Sequence, residues 1–270
     1  MVLNQEHFLI FDRVTKNYPN GVEAVRGCSL TIPAGEFMVF LGPSGCGKTT
    51  LLKMVNRLVE PTSGSVLLHG EDIRKKDPIH LRRQIGYVIQ QTGLFPHLTV
   101  AQNIAIVPEL QGRPKDWIEE RVSYLCELVG LPEREYLLRY PAQLSGGQAQ
   151  RVGVARALAG DPEILLMDEP FGALDAITRS RLQDVLLGLE NRLKKTILFV
   201  THDVEEALRL ADRIAVIQAG KIVQYGAPEE VLLKPADDFV RNLVGGDDLV
   251  RQYRVALLQS RREKRNTHKE

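Results

Sequence analysis

Apolar residues along this chain follow three rhythms. Residues 8–14, 28–32 and 65–68 alternate apolar and polar positions, the period of a strand with one wet face, and Pro19-Asn20-Gly21, Pro33-Ala34-Gly35 and His69-Gly70 supply turns between them. They predict an antiparallel layer near the N-terminus. Residues 37–41, 164–167 and 197–200 are instead unbroken apolar runs, the pattern of strands covered on both faces of a parallel sheet. Between residues 99 and 160 the spacing lengthens, and Trp117, Ile118, Val122, Leu125, Cys126 and Val129 share one helical face. Strand signals resume at 214–218 and 222–224 around the Ala219-Gly220 turn, and a helical tail begins near Pro228. These rhythms predict an α/β protein whose sheet is interrupted by an inserted helical block.

Composition narrows the classes of function. A chain of 270 residues with 44% hydrophobic and 26% charged residues has the make-up of a globular protein with a sizeable core. A net charge of +1 provides no global field toward nucleic acid, so nucleic acid is not an expected partner. Cys28, Cys46 and Cys126 are odd in number and lack metal-ligand spacing, which fits a reducing compartment better than a disulfide framework. Nothing at the N-terminus reads as a leader, and no apolar run is long enough to cross a bilayer. Work at a membrane would therefore need another subunit to span it. Residues 251–270 hold seven Lys or Arg against two Glu, which reads as a solvated tail or, alternatively, a contact to anionic lipid.

The chemistry begins after the first unbroken run. Gly42-Pro43-Ser44-Gly45-Cys46-Gly47-Lys48-Thr49 has the spacing of a P-loop, and a helical run over 50–59 follows, opened by Thr50. Glycines let backbone N–H groups turn inward around phosphate oxygens, and the helix N-terminus adds partial positive charge. Lys48 is expected on the β- and γ-phosphates and Thr49 on Mg²⁺. Cys46 has no required chemistry and reads as a small filler. The run 164–167 ends in Asp168-Glu169, which puts two carboxylates at the carboxyl edge of a sheet. Asp168 is expected to hold Mg²⁺, and Glu169 to polarise an attacking water.

A second anion-binding device follows the helical block's middle. Leu144-Ser145-Gly146-Gly147-Gln148 precedes a helical run, so Ser145 and two glycine amides stand at a helix N-terminus. One site needs a single cradle for the γ-phosphate. Two devices on one chain therefore imply two copies meeting head to tail and sharing two nucleotides.

In this order, the P-loop, residues 144–148 and residues 164–170 resemble the ABC ATPase family, over about residues 6–235. The resemblance implies ATP and Mg²⁺ as cofactors and a P-loop NTPase (RecA-like) core over about 6–90 and 160–235. It also implies an N-terminal antiparallel β-subdomain, an inserted α-helical subdomain over about 91–159, and a helical and basic tail over 236–270. It gives further residues a role: Tyr18 resembles the aromatic that stacks on adenine, Gln90 the Q-loop glutamine near Mg²⁺, Asp175 the D-loop aspartate and His202 the switch histidine. The family also implies permease partners in the membrane, docked from its cytoplasmic face, with a substrate-binding protein reached through the complex. Leu94-Phe95-Pro96-His97-Leu98 puts apolar groups where docking would occur, or where a packing cluster would sit.

Residues 85–97, which run on through Gln91, and Pro170-Phe171-Gly172-Ala173-Leu174-Asp175 are similar to the ATPases of importers for glycine betaine, choline and related osmoprotectants. Some of those relatives carry paired CBS domains after the ATPase, for which this chain is expected to have no room. An exporter or lipid-transport ATPase would carry the same parts. A non-transport ABC protein would be expected to add coiled coils or a second cassette, and a P-loop kinase would lack residues 144–148.

Overall fold

The computed structural model describes residues 8–90, 92–172, 174–193 and 195–245; Gln91, Ala173 and the basic stretch 251–270 lie outside the described residues. In chain order the elements are β1 (Leu9–Asn17), β2 (Glu23–Ile32), β3 (Phe37–Leu41), α1 (Lys48–Val55), β4 (Ser63–Leu68), β5 (Glu71–Asp72), α2 (Pro78–Arg83), β6 (Ile85–Val88), α3 (Val100–Leu110), α4 (Lys115–Leu128), α5 (Glu133–Tyr136), α6 (Gly146–Ala159), β7 (Ile164–Asp168), α7 (Ala176–Leu193), β8 (Thr196–Thr201), α8 (Val204–Leu210), β9 (Arg213–Gln218), β10 (Lys221–Gly226), α9 (Pro228–Leu233) and α10 (Asp238–Leu243).

The alternating segments form an antiparallel sheet in the order β2-β1-β4-β5. The unbroken runs form a second sheet, β10-β9-β3-β8-β7-β6, parallel except for the β9–β10 hairpin. Its strands explain why their sequences do not alternate. Phe37, Val39 and Leu41 of β3 enter a core shared with the helices, whereas Met38 and Phe40 enter a second core closed by α1 and the antiparallel sheet. β7 and β8 divide in the same way, with Leu165, Met167, Ile197 and Phe199 on one side and Ile164, Leu166, Leu198 and Val200 on the other. Every position of the runs 37–41, 164–167 and 197–200 is apolar because both faces are dry.

Helices α3 to α6 lie between two neighbouring parallel strands, since Ile85 of β6 pairs with Ile164 of β7. The helical block is thus an excursion from the sheet edge. Its entry is tied down by Asn103, fully buried, whose side chain accepts from Phe95 N (2.8 Å) and donates to the carbonyls of Phe95, Leu98 and Thr99. From the other side, the Arg156 guanidinium donates to the carbonyls of Thr92 and Gly93 (3.0 and 2.8 Å).

Two expectations shift, at α1 and at α4. Helix α1 stops at Val55, short of residue 59, because Asn56 caps it and Arg57 turns to a φ of 53°. Strand β6 ends at Val88, so Gln90 stands two residues beyond it. On α4, Val122, Leu125 and Cys126 are buried with the following Val129, while Trp117 packs beneath the guanidinium groups of Arg113 and Arg121 at 5.0 and 6.0 Å from its ring. Helical spacing marks apolar faces and does not distinguish a core from a cover of arginine stems.

Candidate active site

β3 delivers the chain to the carboxyl edge of the large sheet, and residues 42–47 turn it into α1. Gly47 stands before the helix at a φ of 111°, and a Cβ there would lie 2.3 Å from the carbonyl oxygen of Ala24, so this position admits only glycine. No side chain caps α1, and its first turn carries no acidic residue. The leading N–H groups and the positive helix end are therefore left for an external anion.

The Lys48 ammonium, 4% exposed, lies inside the loop and donates to the carbonyls of Gly42 (2.7 Å) and Pro43 (2.9 Å). It forms no ion pair among the described residues, so its charge is held in place but not neutralised. The β9–β10 turn supports the loop from behind: Gly220 N donates to Cys46 O (2.9 Å), and Gly220 O accepts from Arg26 N (2.8 Å) and from the Cys28 thiol (3.1 Å). Cys46 is buried, and burial pushes its thiol up despite the nearby Lys48. Its side chain packs within the core beneath the loop.

β7 brings Asp168 to the same edge, where its Oδ1 accepts from Thr49 Oγ1 at 2.7 Å. Tyr87 of β6 closes the far side; burial and the Asp168 carboxylate both push its hydroxyl up. At Glu169 the backbone leaves the strand with a φ of 45° and its N–H donates to Val200 O (3.0 Å). Left-handed backbone at a non-glycine residue costs on the order of 1–3 kcal/mol and persists only where its surroundings impose it. Beyond that turn, Glu169 Oε2 meets His202 Nδ1 at 3.3 Å and Gln90 Nε2 at 3.5 Å. Loops after β6, β7 and β8 thus bring three predicted residues together, Gln90 and His202 on the carboxylate of Glu169.

The remaining predicted residues stand apart from that cluster. Ser145 and Gln148 close a capping box on α6: Ser145 Oγ accepts from Gln148 N (3.2 Å) and Gln148 Oε1 accepts from Ser145 N (2.8 Å). The Gln148 amide also donates to the Tyr136 hydroxyl (3.0 Å), so its polar atoms are committed within the chain. Gly147 lies against Thr178, where an added Cβ would come within 2.5 Å of Cγ2. Asp175 caps α7, accepting from Ile177 N, Thr178 N and Thr178 Oγ1, and the Thr178 bonds hold its carboxyl below the usual range. Residues 145–148 and the Asp175 turn are therefore neighbours. Among the described residues, no hydrogen bond or ion pair joins 145–148 to the P-loop. Tyr18, half-buried before the turn into β2, has Lys16 Nζ 5.3 Å from its ring centre.

Sequence reading missed the groups around His202. Asp203 caps α8, accepting from Glu205 N and Glu206 N, and its other oxygen pairs with Arg179 (3.3 Å). An aspartate directly before a helix is a readable cap signal. Arg179 lies 24 residues away and gives no such signal.

The ABC transporter family model matches residues 25–172. The chain is 54% identical over 242 residues to the glycine betaine/carnitine/choline transport ATP-binding protein OpuCA of Bacillus subtilis, a match covering 90% of this chain and 63% of that protein. It is 51% identical over 239 residues to the glycine betaine uptake system ATP-binding protein YehX of Escherichia coli, covering 88% and 77%. The chain thus spans less than two thirds of the length of OpuCA. Among solved structures, the dimeric post-hydrolysis state of the ATP-binding cassette MJ0796, bound to ADP and Pi, superimposes with a TM-score of 0.75 at 33% identity, over 82% of this chain and 99% of that one. The matched stretch is more than half of the chain and runs from before the P-loop to beyond Glu169, and with four fifths of the chain superimposing on a solved cassette, this chain belongs to the ABC transporter family.

Proposed function

We propose that this chain binds ATP with Mg²⁺ and hydrolyses it as the energising subunit of an ABC importer for a quaternary ammonium osmoprotectant. The observation that carries the reading is the meeting of the Thr49–Asp168 pair with a carboxylate flanked by Gln90 and His202. The hydroxyl, carboxylate and amide oxygens of Thr49, Asp168 and Gln90 form a hard donor set that fits Mg²⁺, an ion usually shared between one or two carboxylates and substrate phosphates. When bound, the ion would neutralise charge on the β- and γ-phosphates.

The chain's own residues do the rest. Residues Gly42, Pro43, Ser44, Gly45, Cys46 and Gly47, with Thr50 in the first turn of α1, wrap the phosphates with backbone donors. Lys48 exchanges its two carbonyl partners for phosphate oxygens, and Tyr18 stacks on the adenine. Glu169 accepts a hydrogen bond from the attacking water and aligns it. His202 donates to the γ-phosphate and steadies Glu169.

Ser145, Gly146 and Gly147 reach a nucleotide only on a second copy, with Asp175 beside them and Gln148 fixing the cap; their separation from the chain's own P-loop supports a head-to-tail pair. The ATPase unit is assigned to 6–235, with 91–159 as the arm that moves against permease subunits. Phe95, 44% exposed beside buried Asn103, supports docking there, and the complex would sit at the cytoplasmic face of the membrane and receive cargo from a substrate-binding protein. No helix among the described residues is long and apolar enough to cross a membrane. The cargo rests on what OpuCA and YehX are named for.

Glu169→Gln is expected to bind ATP normally, to hydrolyse it at below roughly 1% of the wild-type rate, and to accumulate as a dimer on size-exclusion chromatography with ATP. Wild-type turnover in that variant would remove Glu169 from the reaction. Stimulation of the reconstituted complex by glycine betaine or choline, but not by unrelated solutes, tests the cargo.

A further inference from the structure

The side chain of His202 is 57% exposed, and its contact with Glu169 is 3.3 Å long. A ring so free of packing is not aimed by its neighbours, so its direction must be set by the backbone that carries it. Both flanking residues are locked. Thr201, 2% exposed, donates from Oγ1 to Glu206 Oε2 (2.6 Å) and accepts at the same oxygen from Asp203 N (3.0 Å), a bond that spans the His202 peptide. Glu206 is itself buried at 5% and is reached on its other oxygen by Arg179 Nε at 3.8 Å. Arg179 comes from the first turns of α7, pairs with Asp203 as well, and extends a long contact to Leu174 O (3.4 Å).

Capping does not require this arrangement. Asp203 alone satisfies the leading N–H groups of α8, since Oδ1 accepts from both Glu205 N and Glu206 N. A buried carboxylate is costly unless hydrogen-bonded and paired, and an apolar residue at 206 would pack on the core face of α8 without that cost. Burial pushes the Glu206 carboxyl up, and the Thr201 hydroxyl and Arg179 act against that. What the Thr201–Glu206–Arg179 chain adds to a cap already complete is a fixed Thr201 hydroxyl, and with it a fixed orientation of His202, which the Asp203 N to Thr201 Oγ1 bond encloses.

The geometry points to Thr201, Glu206 and Arg179 as positioning residues that hold His202 against Glu169. The inference rests on the hydrolysis reading above and goes beyond it by naming what makes an exposed histidine effective.

The test is a double-mutant cycle on the full chain, reading steady-state ATP hydrolysis and KM. Thr201→Val keeps the shape and loses the hydroxyl; Thr201→Ser keeps the hydroxyl. Thr201→Val is expected to lower kcat roughly 10- to 100-fold with KM for ATP within about threefold, while Thr201→Ser stays near wild type. In a His202→Ala background, Thr201→Val should cost less than about twofold more, because the group it positions is already gone. Wild-type kcat in a folded Thr201→Val chain, or a loss that adds fully to that of His202→Ala, would overturn the assignment. If Thr201→Val does not fold, Glu206→Gln, which keeps the shape and removes the charge facing Arg179, enters the same cycle with the same expectations. A wild-type chain that binds ATP and never turns it over, with or without membrane partners, defeats the hydrolysis reading instead.

Discussion

The phosphate loop before α1 and the 145–148 turn before α6 are both glycine-rich helix starts, and they treat their N–H groups in opposite ways. Gly47 leaves α1 without a side-chain cap, whereas Ser145 and Gln148 close α6 with a reciprocal box. The first is a frame of open donors around a captive ammonium, supported by Ala24 and the Gly220 turn. The second is a finished helix end whose exposed residues face outward, with Ser145 and Gly146 at the surface. An open frame needs the anion to complete it. A capped one folds without the anion and can present a few donors to a ligand held elsewhere.

Breaking the open frame should have the largest effect. Lys48→Ala removes the one cation inside the loop, and ATP hydrolysis is expected to fall by roughly 10²–10³, read against wild type at saturating ATP. Full activity in that variant would remove the loop from the site. Exchanging glycines separates the two turns next. Gly47→Ala forces a Cβ against the Ala24 carbonyl at positive φ and should cost about 1–3 kcal/mol of stability together with nucleotide affinity, seen in thermal melts with and without ATP. Gly146→Ala meets nothing within 4 Å; it should change the melting of the lone chain little and reduce hydrolysis only where two copies assemble. The smallest effect belongs to the cap. Ser145→Ala should lower stability by about 1 kcal/mol in denaturant titration while leaving ATP binding by the single chain intact. Lost ATP binding there would mean that the two turns serve the same nucleotide.

Much of this site was legible because its parts are local. The P-loop glycines, the Asp168-Glu169 strand end and the Ser145 cap each announce themselves within a few residues. Gln90 and His202 have no local pattern and entered through resemblance, and Gln90 reaches Glu169 across 79 residues of chain. Arg179, Glu206 and Arg156 were not legible at all. A half-buried cation gripping Thr92 and Gly93, or a buried carboxylate bonded to Thr201, looks in sequence like any charge on a helix. Trp117 failed the other way, since an apolar residue on the right face can be covered by arginine rather than by the core.

The sequence alone determined the two sheets, the helical excursion from the second of them and the phosphate loop, because hydrophobic period and turn chemistry act over distances of a few residues. Only the tertiary structure decided which face of each doubly buried strand meets which core, that Glu169 collects Gln90 and His202, and that, among the described residues, no hydrogen bond or ion pair joins 145–148 to the chain's own P-loop. Those outcomes follow from parallel strands setting their carboxyl ends side by side, an alignment that depends on sheet order and not on distance along the chain.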